Sequence, residues 1–298
     1  MQAAQAPPTP ALGERIELFL EKIQAAHDPT IDQGPSSRKF ERPAHYNAAR
    51  CDAALADPRG FRQTRPVPEY FITGTDTGVG KTVVTTAMLT AAQRRGLLTA
   101  AYKPAETGCP RDPSGRYLAR DAAMLAGAAD LPGDESTICR FRYETPAAPA
   151  VAARIEGHAV EIDAIQAAVD GLRAKRPDLL MVEGAGGLLV PFTDDHTAAD
   201  LARILSLDLL VVARPGLGTI NHTALTIECA RARGLRVRGV ILSHASPEGD
   251  PTVSTNASEI ERLTGVRVLG ALGHTPSLAP DSLAAAAERD IDLDDLLT

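Results

Sequence analysis

Tyr70-Phe71-Ile72-Thr73-Gly74-Thr75-Asp76-Thr77-Gly78-Val79-Gly80-Lys81-Thr82 is the stretch on which the fold turns. Its first four residues are aromatic or β-branched, the types that favour a strand. A glycine-rich turn follows, and Lys81-Thr82 opens a segment of helical character over 81–95. A turn of this composition between strand and helix points consecutive backbone N–H groups into a concave nest, and the helix adds its positive N-terminal end. Such a nest holds phosphate. Lys81 is placed to reach β- and γ-phosphate oxygens, and the Thr82 hydroxyl to bind a phosphate-bound Mg²⁺. The spacing departs from strict G-x-x-x-x-G-K-[ST]: Thr75 stands where the first glycine belongs, and Gly74 precedes it. A chance Gly-Lys-Thr would lack the flanking strand and helix, so the stretch implies a nucleoside-triphosphate site.

Working outward, residues from 69 onward alternate short apolar runs with helical stretches. Strands are expected over 70–73, 99–103, 179–183, 209–213, 237–242 and 266–272. They are mostly unbroken apolar runs rather than alternating ones, as in strands covered on both faces. Helices are expected over 81–95, 120–126, 161–175, 198–205, 221–233 and 252–263. The pattern predicts an α/β fold of three layers, a parallel sheet between helices, as one domain over 67–298. Residues 1–66 have a different texture. A helix over 12–26 carries Leu12, Ile16, Phe19, Leu20 and Ile23 on one face. Residues 27–66 show no sustained period and read as linker or disordered arm. The whole reads as an accessory extension.

Composition narrows the class. The 298 residues are 44% hydrophobic, 23% charged and 4% aromatic, which suits a soluble globular chain. No stretch approaches the roughly 18–20 apolar residues of a membrane-spanning helix, and residues 1–10 lack the pattern of a secretory signal. A net charge of −7 argues against gripping nucleic-acid backbone. Cys51, Cys109, Cys139 and Cys229 lie far apart without a C-x-x-C pair, which fits a reducing cytoplasm rather than a zinc or disulfide scaffold.

Three further segments bear on chemistry. Tyr102-Lys103-Pro104-Ala105-Glu106-Thr107-Gly108 places a lysine at the carboxyl end of a parallel strand, where open α/β sheets bind ligands. Alone, Lys103 also reads as a solvated surface lysine. In Ala119-Arg120-Asp121-Ala122, Asp121 suits a helix cap or a metal ligand, and alone it reads as the cap. Leu180-Met181-Val182-Glu183-Gly184-Ala185-Gly186-Gly187 sets an acid at a strand tip before a turn of small residues. That is a position for a Mg²⁺-coordinating or water-ordering carboxylate, and the glycines let backbone approach a ligand closely.

These segments, together with Gly218-Thr219-Ile220-Asn221-His222, resemble in order the motifs of the dethiobiotin synthetase family of P-loop NTPases. The likeness runs from about residue 70 to the C-terminus, includes the one-residue departure in the loop, and leaves out residues 1–66. The resemblance implies an ATP- and Mg²⁺-dependent ring closure. 7,8-Diaminononanoate takes up CO₂ on one amine as a carbamate, whose oxygen attacks the γ-phosphate to give a carbamic–phosphoric anhydride. The second amine then closes the ring and expels phosphate. By resemblance Lys103 and Lys81 are catalytic, and Thr82, Asp121 and Glu183 hold Mg²⁺. Thr77, Gly78, Val79, Gly80, Lys81, Thr82 and Val83 contact ATP, as do Asp121, Glu183, Gly184, Ala185 and Gly186. Ser243, His244, Pro276, Ser277 and Leu278 complete the nucleotide set; Ser243-His244 stand where the family often carries an adenine-reading Asn. Thr107 meets the carbamate or substrate, and Gly218, Thr219 and Asn221 take the substrate carboxylate at a site completed across a homodimer.

Two related classes share the core. Partitioning ATPases carry a lysine early in the loop, where this chain has Asp76. Cobalamin-pathway amidoligases add an amidotransferase domain with a nucleophilic Cys, and none of the four cysteines sits in the Gly-flanked strand-to-helix turn this needs. A non-enzymatic interaction module would leave Lys103, Asp121 and Glu183 without a reason to converge.

Overall fold

The unbroken apolar runs are strands with two covered faces. In the computed structural model, which describes residues 67–131, 135–243, 252–275 and 277–297, six of them form one parallel sheet. These are β1 (Glu69–Gly74), β2 (Thr99–Tyr102), β5 (Leu179–Gly187), β6 (Asp208–Ala213), β7 (Val237–Ser243) and β8 (Val268–Leu272). Their order is β2-β5-β1-β6-β7-β8. The helix expected over 12–26 and the arm over 27–66 lie outside the described residues, as do His244 and Pro276.

Side chains divide between the faces by the two-residue period of a strand. Tyr70 and Ile72 of β1, with Leu179 and Met181 of β5, enter the core under α1 (Lys81–Arg94) and α9 (Pro280–Asp290). Phe71, Leu180 and Val182 enter the opposite core, under α5 (Ile162–Arg173) and α6 (Ala198–Ile204). Further along the sheet, Val211, Val240 and Leu242 pack with Ile227 of α7 (Thr219–Ala232) and Ile260 of α8 (Val253–Thr264). The three expected layers are therefore present. α1 is buried almost all round, because α9 lies along its outer side. α9 was not foreseen: its Ala284–Ala287 run is too short in side chain to give an apolar signal, yet small residues allow close packing.

Five more elements escape the sequence pattern. β3 (Ala105–Thr107) and β4 (Phe141–Tyr143) form a separate two-stranded parallel sheet. Short helices α3 (Glu135–Ile138), α4 (Pro149–Glu156) and α10 (Leu293–Leu296) complete the described set with α2 (Arg120–Ala126). The strand expected over 99–103 ends at Tyr102, because Pro104 has no N–H to continue a ladder. The strand expected over 179–183 runs on to Gly187, so Glu183 is within the strand rather than at its tip. The helix expected from 221 begins at Thr219.

The site follows from the order of the strands. From β1 the chain crosses to β2 on one side, and β6 later pairs on the other, which makes the carboxyl end of β1 a point of reversal. Ligands of open α/β sheets bind at such points. Phe71 holds this point from beneath: it is fully buried, and a Cβ on Gly184 would lie 2.8 Å from its ring. Phe71→Ala is expected to cost about 3–5 kcal/mol in urea unfolding; a loss below about 1 kcal/mol would show that the ring is not packed as described.

Candidate functional site

Between β1 and α1 the loop turns on two left-handed glycines, Gly78 at φ 74° and Gly80 at φ 91°. Gly80 is also the N-cap of α1, with no side-chain cap of its own. A Cβ there would collide with Ser243 Oγ at the end of β7, so the loop and β7 touch at this point. Asp76 accepts a hydrogen bond from Thr77 N at 2.7 Å, and Lys81 Nζ reaches back to Asp76 O at 3.3 Å. The Thr75 hydroxyl is buried without a partner. Val79 is buried and half-buried Val83 packs against the same core.

Beside the loop, β5 carries Glu183 into a water-free position. The register between β1 and β5 slips between Ile72 and Gly74, so that Gly187 comes opposite Gly74. Gly186 adopts φ 61°, and Gly184 lies flat against Phe71. Glu183 is 0% exposed. Its Oε1 accepts from Thr82 Oγ1 at 2.7 Å and from Lys103 Nζ at 2.7 Å, while its Oε2 has no partner.

Lys103 leaves the end of β2 with its backbone N–H bonded to Ile138 O. Its ammonium is 3% exposed and lies 2.8 Å from Asp121 Oδ2 as well as against Glu183. Burial alone would lower the lysine's pKa, but the two carboxylates outweigh it and hold the value well above the usual lysine range. Lys103 is therefore the charged partner of buried Glu183 and half-exposed Asp121 rather than a solvated lysine. The reverse balance applies to Lys81, where burial dominates and lowers the value despite the pull of Glu183. Burial would raise the Asp121 carboxyl, but the Lys103 ammonium holds it below the usual carboxylate range. The cap of α2 is Ala119, so Asp121 lies inside the first turn and is not the cap.

Sequence reading gave Glu106 no role. It is 7% exposed, and its two oxygens accept from Asp121 N at 3.0 Å and Ala122 N at 2.9 Å. No local pattern marks it, because its partners are 15 and 16 residues ahead on another element. Thr107 ends β3, half-buried. Gly218, at φ 92°, caps α7, with Thr219 buried and Asn221 exposed in the first turn. Thr107 belongs to the separate two-stranded sheet, while Gly218, Thr219 and Asn221 follow β6 of the main sheet. Among the described residues none of them hydrogen-bonds to Lys103, Asp121 or Glu183; Thr219 Oγ1 instead meets Thr223 Oγ1 at 3.4 Å. Ser277 and Leu278 are exposed in the segment between β8 and α9. Burial pushes the Cys109 and Cys139 thiols up to about 12, which leaves them protonated and inert at neutral pH.

The donor set can be tested against Mg²⁺. Thr82, Asp121 and Glu183 offer oxygen only, and Glu183 Oε2 is a buried acceptor awaiting a partner. Among the described residues no three His, Cys, Asp or Glu side chains form a complete metal cage. Mg²⁺ itself keeps waters and is bound through one or two carboxylates together with substrate phosphates, so oxygen donors of this kind fit it.

A family model described as an AAA domain matches residues 68–282. An ATP-dependent dethiobiotin synthetase BioD of Anaeromyxobacter sp. (strain Fw109-5) is 49% identical over 212 residues, covering 70% of this chain and 91% of that protein. One of the same name from Thermodesulfovibrio yellowstonii is 37% identical over 237 residues, covering 77% and 98%. Among solved structures, the MinD cell division protein of Aquifex aeolicus superposes with a TM-score of 0.46 at 16% identity, covering 77% of this chain and 94% of that one.

The contact between Lys103 and Glu183 makes a stability prediction. Lys103→Met leaves the Glu183 carboxylate without its closest cation and should cost about 3–5 kcal/mol in urea unfolding. Adding Glu183→Gln should recover at least about 1 kcal/mol of that loss. Strictly additive losses would mean that the two groups do not interact.

Proposed function

Since the chain belongs to the dethiobiotin synthetase family, we propose that it carries out ATP-dependent closure of the cyclic urea of dethiobiotin from 7,8-diaminononanoate and CO₂ or bicarbonate. The observation that carries this reading is the meeting of Lys103, Glu183, Asp121 and Thr82 beside the phosphate loop and Lys81.

The reaction joins two anions, a carbamate and a triphosphate, so it needs positive charge held where the charge moves. The loop amides and Lys81 take the β- and γ-phosphates. Lys103, drawn from its carboxylates, takes the carbamate as its oxygen attacks the γ-phosphorus and ADP leaves. The resulting carbamic–phosphoric anhydride is attacked by the second amine, and phosphate departs as the ring closes. Positioning and electrostatics supply most of the catalysis in phosphoryl transfer. Mg²⁺, held by Thr82, Asp121 and Glu183, would neutralise charge on the transferring phosphate. Thr107 holds the reacting end of the substrate, and the first turn of α7 at Gly218, Thr219 and Asn221 holds its distant carboxylate. Gly184, Ala185 and Gly186 border the nucleotide through backbone, with Ser243, His244, Pro276, Ser277 and Leu278 toward its base.

The substrate site is closed in a homodimer at this turn, where Leu217 is 97% exposed. Residues 1–66 are an extension outside the family's common core. Among the described residues no helix is long and apolar enough to cross a membrane, and the free thiols of Cys109, Cys139 and Cys229 agree with a cytoplasmic enzyme. The switch-ATPase alternative is opposed at Asp76, whose carboxylate accepts from its own loop instead of supplying a cation.

Phosphate release from ATP should require the diamine and bicarbonate together, with at least about a tenfold drop when either is omitted. Equal release without the diamine would favour a switch ATPase.

A further inference from the structure

Glu106 is a buried charge whose partners are two backbone N–H groups in the first turn of α2. A carboxylate out of water is costly unless both oxygens are bonded, and here each oxygen takes one donor. The turn it holds has Ala119 as its N-cap, with no side-chain cap hydrogen bond. Alanine cannot accept from the N2 and N3 amides, which Ser, Thr, Asp or Asn at that position would satisfy. In α2 those amides belong to Asp121 and Ala122, the two that Glu106 binds. The missing local cap is thus supplied from β3.

We propose that Glu106 is a positioning residue, a cap donated from another element that keeps the Asp121 carboxylate aimed at the site. This rests on the proposed roles of Lys103 and Asp121. At rest Asp121 is held at its backbone by Glu106 and at its side chain by Lys103 and Thr82. Once Lys103 turns to an anionic substrate, its tie to Asp121 is gone. Glu106 still fixes the backbone of the turn, and its charge also suits the positive end of the helix. The segment that carries Lys103 carries Glu106 three residues later, so the lysine can move while its own strand keeps hold of α2.

The test uses the full chain and two readouts besides turnover. Hydrogen exchange of the Asp121 and Ala122 amides should be protected in the parent and faster by about tenfold or more in Glu106→Ala. Calorimetric binding of ADP with Mg²⁺ should weaken by about 10- to 100-fold, as for other groups that orient a metal ligand, while binding of ADP without Mg²⁺ stays within about twofold of the parent. Glu106→Gln keeps one acceptor and should fall between. Ala119→Ser added to Glu106→Ala installs a local cap and should restore both readouts, which also guards against a variant that merely folds poorly. Unchanged exchange, or equal loss of ADP binding with and without Mg²⁺, would overturn the proposal. So would failure of Ala119→Ser to restore either readout in a folded double variant. If instead the parent's ADP binding ignores Mg²⁺ while exchange responds as expected, the capping role stands and the metal role of Asp121 fails.

Discussion

An ammonium group with almost no access to water, set between two carboxylates, is the contact around which this structure is organised. Lys103 touches Glu183 and Asp121, and Glu183 is as deeply buried as any residue in the sheet. Bringing such charges out of water costs several kcal/mol per ion, and the cost is offset only by good geometry and further hydrogen bonds. Those bonds are present in Thr82 on Glu183 and in Glu106 on the turn beneath Asp121. Glu183 Oε2 is left over. On the proposed reading this acceptor beside the phosphate loop is the one that Mg²⁺ would take.

The fold supplies the fixed points. Parallel strands β1 and β5 run side by side and end in the loop and in the glycine turn. Two rigid backbones therefore place Thr82 and Glu183 in contact although they are 101 residues apart. Phe71 and Gly184 lock that pair of strands from below. α1, enclosed by the sheet and α9, holds Lys81 and Thr82 in its first turn. Lys103 and Asp121 come from less regular parts, a strand end broken by Pro104 and a short helix. On the proposed reading the strand end yields when the lysine changes partners, while Glu106 keeps the first turn of the helix in place.

What the sequence showed, and what it hid, follows from how local each signal is. The loop, the two-faced strands and the acid of β5 were legible, since strand, turn and helix chemistry all lie within a dozen residues. Lys103 and Asp121 remain open between bland and chemical roles when taken singly; the burial of Lys103 and its ion pair with Asp121 separate the two, and both are properties of the fold. Glu106 gave no signal, because a cap offered from β3 to α2 follows no fixed spacing. The same is true of Ser243, whose contact with Gly80 arises from two strand ends meeting. Polyalanine α9 and the three-residue strands β3 and β4 were missed because they are too uniform or too short to carry a period.

The most direct measurement supplies ¹³C-bicarbonate, 7,8-diaminononanoate, ATP and Mg²⁺ to the purified chain and follows the product by mass spectrometry and carbon NMR. The account predicts dethiobiotin with the label in its ring carbonyl, and with Lys103→Ala a folded protein that forms it at least about 100-fold more slowly. A folded parent that makes no labelled ring, or a Lys103→Ala variant that makes it at the parent's rate, would contradict it.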